Sequence, residues 1–208
     1  MTSKVTIQAI SDLKKIPTDK LIEFGLRQTD QGVEFSYTTT TGSTARPRLR
    51  HGIRGAGGSS WTGDEALPIT MYTPPEHLAL TQLKDLIIVE GESDCWSGWL
   101  NGFRVIGIPG ADRVKSIEPA HIKNAHRIFI QREHLEGCNT TYPEGVDVFV
   151  DQIIAHIIPM TSSGEIFVLE LTEPHSDLSD LHVAQPIKFQ EILLKAMSTS
   201  EKVHDANG

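Results

Sequence analysis

An α/β fold of roughly four parallel strands, with a small β-rich module ahead of it, is what this 208-residue sequence predicts. Three observations carry the prediction. From Asp85 onward, short apolar runs alternate with helix-like segments, the pattern of strands joined by crossover helices. The first of these runs, Leu86–Val89, ends abruptly in acids at Glu90, Glu92 and Asp94 around Gly91. Before residue 75 the signal is a hairpin instead, with period-two alternation on both sides of a polar turn.

The length suits one domain, or a modest domain with an appendage. No apolar run approaches the roughly 18–20 residues of a membrane span, and the first residues lack the apolar stretch of a secretory signal. Two cysteines, Cys95 and Cys138, make no disulfide framework, so a cytoplasmic protein is expected. A net charge of −8 argues against a uniformly basic coat. The charge is uneven: ten Lys and Arg face eight Asp and Glu before residue 85, and nine face nineteen after it. An acidic half can hold divalent metal and a mildly basic half can meet phosphate, although solvated surface acids give the same count.

Taken in order, residues 1–16 are weakly patterned and expected to fray. Thr18 is placed to N-cap a helix carrying Leu21, Ile22 and Phe24 that stops at Gly25. Gly32–Tyr37 and Ala45–Ile53 form the predicted hairpin around the polar turn Thr38–Thr44. Its second strand carries Arg46, Arg48 and Arg50 on one face, with Arg54 just after. Such a row matches phosphate geometry on a nucleic-acid backbone, or forms a solvated outer face. The glycine-rich Gly52–Ser60 has neither the lysine nor the following helix of a phosphate-cradling loop and reads as a hairpin tip. Glu76–Lys84 is a predicted helix, and the module boundary falls at residue 75.

The second half predicts strands at Leu86–Val89, Val105–Ile108, Arg127–Gln131 and Ile166–Leu171. Helices are expected at Asp94–Asn101, Pro119–Asn124, Gly145–Ile158 and Phe189–Met197, a loop at Thr172–Asp180, and a disordered tail at 199–208. Right-handed crossovers make the sheet parallel. Cys95 reads as a buried structural thiol, Trp96 and Trp99 as core packing, Trp61 as a candidate base-stacking residue, and His175 and His182 as surface loop residues.

Glu90 and Asp94 share one strand-to-helix turn, where a carboxylate pair suits Mg²⁺ and Glu90 suits a general base. The stretch Ile88-Val89-Glu90-Gly91-Glu92-Ser93-Asp94, with Gly102 and then Gly107-Ile108-Pro109-Gly110-Ala111, resembles the first half of a Toprim domain. That Rossmann-like module is shared by bacterial-type primases, topoisomerases and some nucleases. The likeness is to the primase-like type of phages, plasmids and other mobile elements, in which an Arg-x-Arg-x-Arg strand precedes the core as Arg46, Arg48 and Arg50 do here. Ser176–His182 resembles the terminal acidic signature. The resemblance implies Glu90 as catalytic acid/base and Asp94, Asp177 and Asp180 as further metal ligands for Mg²⁺ or Mn²⁺. It implies single-stranded DNA as partner, with Arg46, Arg48, Arg50 and Arg54 in contact, and a helicase or other replication protein as a second partner.

The chain departs from the family at the Asp-x-Asp that follows the third strand, where Arg132 and His134 stand in place of the two acids. Either Glu133 or Glu136 substitutes through a local shift and metal is still bound, or the metal site is lost and Arg132 fills the pocket against Glu90 or Asp94. The favoured expectation is the second. Three functions follow: a primase-type nucleotidyl transferase, a catalytically degenerate module that binds nucleic acid or a replication partner, and a Toprim-type nuclease.

Overall fold

Two sheets organise the chain, and each follows from a local pattern. The computed structural model describes residues 4–52, 58–79, 83–133, 145–161, 164–172 and 174–205. The chain enters through α1 (Ile7–Lys14), capped by the Thr6 hydroxyl, which accepts the Ala9 N–H at 3.1 Å. Ile7 and Ile10, one turn apart, go into the core, so the described residues 4–16 hold a packed helix where fraying was expected. In α2 (Thr18–Glu23) the N-cap position belongs to Pro17, and Thr18 is the first helical residue.

The first sheet is antiparallel, in the order β1 (Leu26–Thr29), β2 (Gly32–Phe35), β3 (Arg48–Arg50), β4 (Ser59–Trp61). The predicted hairpin is its β2–β3 pair, extended by the Thr38–Thr44 bridge. β3 contains only Arg48 to Arg50, so Arg46 precedes the strand. Residues 53–57, and Arg54 with them, lie outside the described residues. A 3₁₀ turn at Pro75–Ala79 stands where a longer helix was expected; Pro74 and Pro75 restrict the backbone there.

The second sheet runs β6 (Val105–Ile108), β5 (Leu83–Glu90), β7 (Ala125–Arg132), β8 (Glu165–Glu170), β9 (Glu201–Asp205). The first four are parallel, as the alternating pattern predicts. β9 adds an antiparallel edge where a disordered tail was expected; its polar sequence carries no apolar alternation because it covers an edge rather than a core. The sheet is flanked by α3 (Glu92–Leu100), α4 (Pro119–Ile122), α5 (Gly145–Ile157), α6 (Leu178–Ala184) and α7 (Phe189–Thr199). The expected Thr172–Asp180 loop is shorter than predicted, since α6 begins at Leu178, capped by Asp177.

Successive residues of β5 enter opposite cores. Leu86 and Ile88 pack with Ile128, Ile130 and Ile153, while Ile87 and Val89 pack with Trp96, Phe129 and Leu193. The second core also contains Val33 and Phe35 of the first sheet. Phe35 and Trp96 meet edge to face, centroids 5.3 Å apart. Tyr72 seals the junction: its backbone pairs with Gly107 of β6, and its hydroxyl takes the Trp96 Nε1–H at 2.9 Å and donates to the Phe24 carbonyl at 2.7 Å.

Gly107 also lies beneath the β5–α3 turn, where an added Cβ would stand 2.4 Å from the Gly91 carbonyl oxygen and 2.8 Å from Cys95 Sγ. Gly107→Ala is expected to destabilise the fold by about 2 kcal/mol, read as a lowered midpoint in urea at constant slope. An unchanged midpoint would show that the turn yields without cost.

Candidate active site

The site is built where β5 and β7 end. Glu90 is the last residue of β5. Gly91 follows at φ 86°, a left-handed position that favours glycine, and its N–H donates to the Ile108 carbonyl at 2.8 Å. α3 starts at once, so Glu92 and Asp94 fall in its first turn, where the helix N-terminus favours acids. Burial raises the Glu90 carboxyl above its ordinary range, against the Ala111 N–H and the Arg48 charge, which hold it down.

Asp94, Glu133 and Asp177 come together with one carboxylate oxygen from each within 4.8 Å of the others. Asp94 is buried, and its oxygen accepts the Ser179 N–H at 2.8 Å. Asp177 accepts the Asp180 N–H at 2.6 Å while capping α6. Burial, with Asp177 and Glu133 adding like charge, lifts Asp94 well above the usual carboxylate range. Burial, then Asp177, Glu90 and Asp180, push Glu133 up to about 8. An all-oxygen, triply acidic donor set of this kind fits a hard divalent cation such as Mg²⁺ or Mn²⁺. Asp180 is exposed and outside the triad, its carboxylate taking the Ser176 hydroxyl.

The sequence comparison placed Arg132 and His134 at the acidic positions. The structure instead brings Glu133 to Asp94 and Asp177, the local-shift alternative. Arg132 pairs with Glu170 at 2.6 Å, directly across from it in the β7–β8 register, in place of the anticipated contact with Glu90 or Asp94. The physical reason is that β7 ends at Arg132, so strict alternation stops before Glu133. His134 and Glu136 lie outside the described residues. Lys14 was not anticipated: α1 carries it to Ser179, whose hydroxyl accepts from it at 2.6 Å, and its charge favours the ionised forms of Asp94 and Asp177.

The arginine strand faces inward. Arg48 and Arg50 stand opposite Phe35 and Val33, both fully buried, so the four share one face of the sheet. Arg48 donates to Glu92 at 2.9 Å and lies 5.7 Å from the Trp61 ring centroid. Arg50 donates to the Gly52 carbonyl at 3.0 Å. Arg46 pairs with Glu65 at 3.5 Å.

Trp96 and Trp99 pack in the core as expected, and Cys95 is a buried thiol raised by burial and its acidic neighbours. His175 and His182 are buried, not on the surface; His182 sits between Asn101 and the Lys15 carbonyl because α6 packs against α3 and α1. No helix among the described residues is long and apolar enough to cross a membrane.

The sequence matches no protein-family model and no curated protein. Its fold is nevertheless found in solved structures. The E. coli primase catalytic core superposes with a TM-score of 0.61 at 14% identity, covering 89% of this chain and 60% of that one. The DnaG primase catalytic domain bound to single-stranded DNA gives 0.62 at 14% identity, over 88% of this chain and 58% of that one. The primase fragment of the bacteriophage T7 primase-helicase gives 0.59 at 13%, over 88% and 72%. The fold is that of primase-type Toprim domains, and the chain spans about 60% of the E. coli core's length.

The acid triad sets a pH dependence. Glu133 titrates near 8 in the folded chain against 4.5 ordinarily, so the folded state holds a proton that the unfolded chain releases in that window. Metal-free stability therefore falls as pH rises from about 4.5 to about 8. Mg²⁺ or Mn²⁺ held by these acids would compete with those protons, so its gain in melting temperature is expected to be larger at about pH 8 than at about pH 5.5. Glu133→Gln should raise the metal-free melting temperature at about pH 8 by about 2–4 °C and abolish most of the metal's gain. A metal effect equal in wild type and variant would remove Glu133 from the ligand set.

Proposed function

We propose that this chain is a primase-type Toprim domain that acts on nucleic acid in replication, with metal-dependent nucleotidyl transfer as its chemistry. The observation that supports this best is the gathering of Asp94, Glu133 and Asp177 beside Glu90, with the arginine face of the β-rich sheet turned toward the same end.

In this reading the 3′-hydroxyl of a growing strand attacks the α-phosphorus of an incoming nucleoside triphosphate. A new phosphorus–oxygen bond forms and the bond to pyrophosphate breaks. Glu90 takes the hydroxyl proton, and its burial raises its proton affinity for that task. Asp94, Glu133 and Asp177 would hold Mg²⁺ or Mn²⁺, which when bound supplies charge neutralisation and orientation of phosphate oxygens. Arg48 and Arg50 bind template or product phosphates, and the half-buried Trp61 offers a ring beside them. Single-stranded DNA is the proposed partner, with a helicase or other replication protein as a second.

A second reading, a binding module without catalysis, draws on Arg132, a cation at a position where the family's pattern has an acid. The assay that separates the readings is synthesis of oligoribonucleotides on a single-stranded template with Mn²⁺. Wild type is expected to make them, and Glu90→Gln and Glu133→Gln each to lose about 100-fold or more. Template binding without synthesis would leave the binding module standing. Strand scission by the wild type, lost in Glu90→Gln, would make the protein a nuclease.

A further inference from the structure

Glu92 has no part in the chemistry just described, yet it is one of the few acids held in the interior, 7% exposed. It sits in the first turn of α3, two residues after Glu90 and two before Asp94. Its Oε1 accepts hydrogen bonds from two residues of the β-rich module, the hydroxyl of Tyr37, just past β2, and Nη1 of Arg48 in β3, the latter at 2.9 Å. Tyr37 is itself packed, with its ring centroid 5.3 Å from Trp61 and 5.0 Å from Tyr72. A carboxylate fixed in this way holds the guanidinium in one orientation, between the Trp61 ring and the acid site, and the Arg48 charge is felt at Glu90.

We propose that Glu92 is a positioning residue for nucleic-acid binding: it fixes Arg48 so that the guanidinium edge not bound to Glu92 grips a strand phosphate at the mouth of the acid site. Arginine is suited to this double duty, since its planar fork donates five N–H groups. Orientation set beforehand removes the rotamer entropy that a free arginine would lose on binding. Glu92 also links the two halves: the arginine strand and the α3 turn bearing Glu90 and Asp94 are tied through one carboxylate, so a phosphate held by Arg48 is registered against the acids. This inference rests on the nucleic-acid reading above.

Simple electrostatics predicts the opposite of positioning, and this makes a sign test possible. Glu92 is negative and near a phosphate site, so neutralising it should strengthen binding of an anion. If it positions Arg48, neutralising it weakens binding. The probe is fluorescein-labelled oligo-dT, followed by anisotropy over a range of salt. Glu92→Gln is expected to weaken binding roughly tenfold, the scale of one charge-assisted hydrogen bond. It should also reduce the slope of log affinity against log salt by about 0.7, the value for one phosphate contact to a single strand. Arg48→Ala should match it, and the double variant should lose no more than either single one. Tyr37→Phe, which removes one of the two bonds to Glu92 and keeps the ring packing, should show a smaller loss of the same sign. Circular dichroism melting of each variant identifies unfolding, and the salt slope separates a lost contact from general loosening. Affinity at or above wild type in Glu92→Gln, or a slope unchanged from wild type, overturns the inference and leaves the nucleic-acid reading intact. Absence of binding by the wild type overturns that reading and this inference with it.

Discussion

Three carboxylates, Asp94 buried and Glu133 and Asp177 half-buried, with one oxygen of each within 4.8 Å of the others, are the constraint around which this structure is arranged. Desolvation and mutual repulsion both oppose their ionisation. What offsets them comes in part from a local helix cap and in part from distant segments of the chain. The Ser179 N–H serves Asp94, the Asp180 N–H serves Asp177, and Lys14 reaches across from the first helix. Asp94 therefore meets its partners only when α1, α3 and α6 have closed on one another. A divalent cation would complete the same balance, so the charge that makes the metal-free site costly is also what would attract a metal.

The second organising contact is the seam between the sheets. A β-rich sheet with arginines could have been a loosely attached arm. Here its apolar face enters the same core as the parallel sheet, through Phe35 against Trp96, and Tyr72 in the segment after β4 pairs with β6. Arg48 and Arg50 share that face, so they point where the packing points, toward the acidic strand ends. The polarity of the seam is resolved in place: Glu92 is buried, but two donors satisfy it, and one of them carries the opposite charge.

Much of this was legible in the sequence. Val105–Ile108 is a strand to the residue, and the Glu90-Gly91 turn, the parallel order and the core roles of Trp96 and Trp99 follow from pattern and spacing. The elements that escaped have weak local signals. α1 is eight residues long with two core isoleucines, too short for a period to stand out. α6 hides behind the polar Asp177–Asp180, whose acids serve as cap and first turn. β9 is a covered edge with no apolar rhythm. Glu92 stood beside the acids from the start, but its partners Tyr37 and Arg48 are 55 and 44 residues away, a separation that single-sequence reading does not bridge.

The end of β7 shows how much depends on one residue of register. Extending strand alternation past Arg132 puts Arg132 and His134 on the site's side and Glu133 on the other. That reading makes Arg132 the counter-ion of the pocket and leaves no room for metal. The strand ends at Arg132, and this changes the electrostatics. Arg132 is still inside the ladder, so its guanidinium meets Glu170, its direct cross-strand neighbour, and its charge is balanced there. Glu133 is past the ladder, free of the alternation, and joins Asp94 and Asp177. A sequence that looks depleted of acids at this position thus places a carboxylate there after all, because the strand ends one residue before alternation would have turned it away.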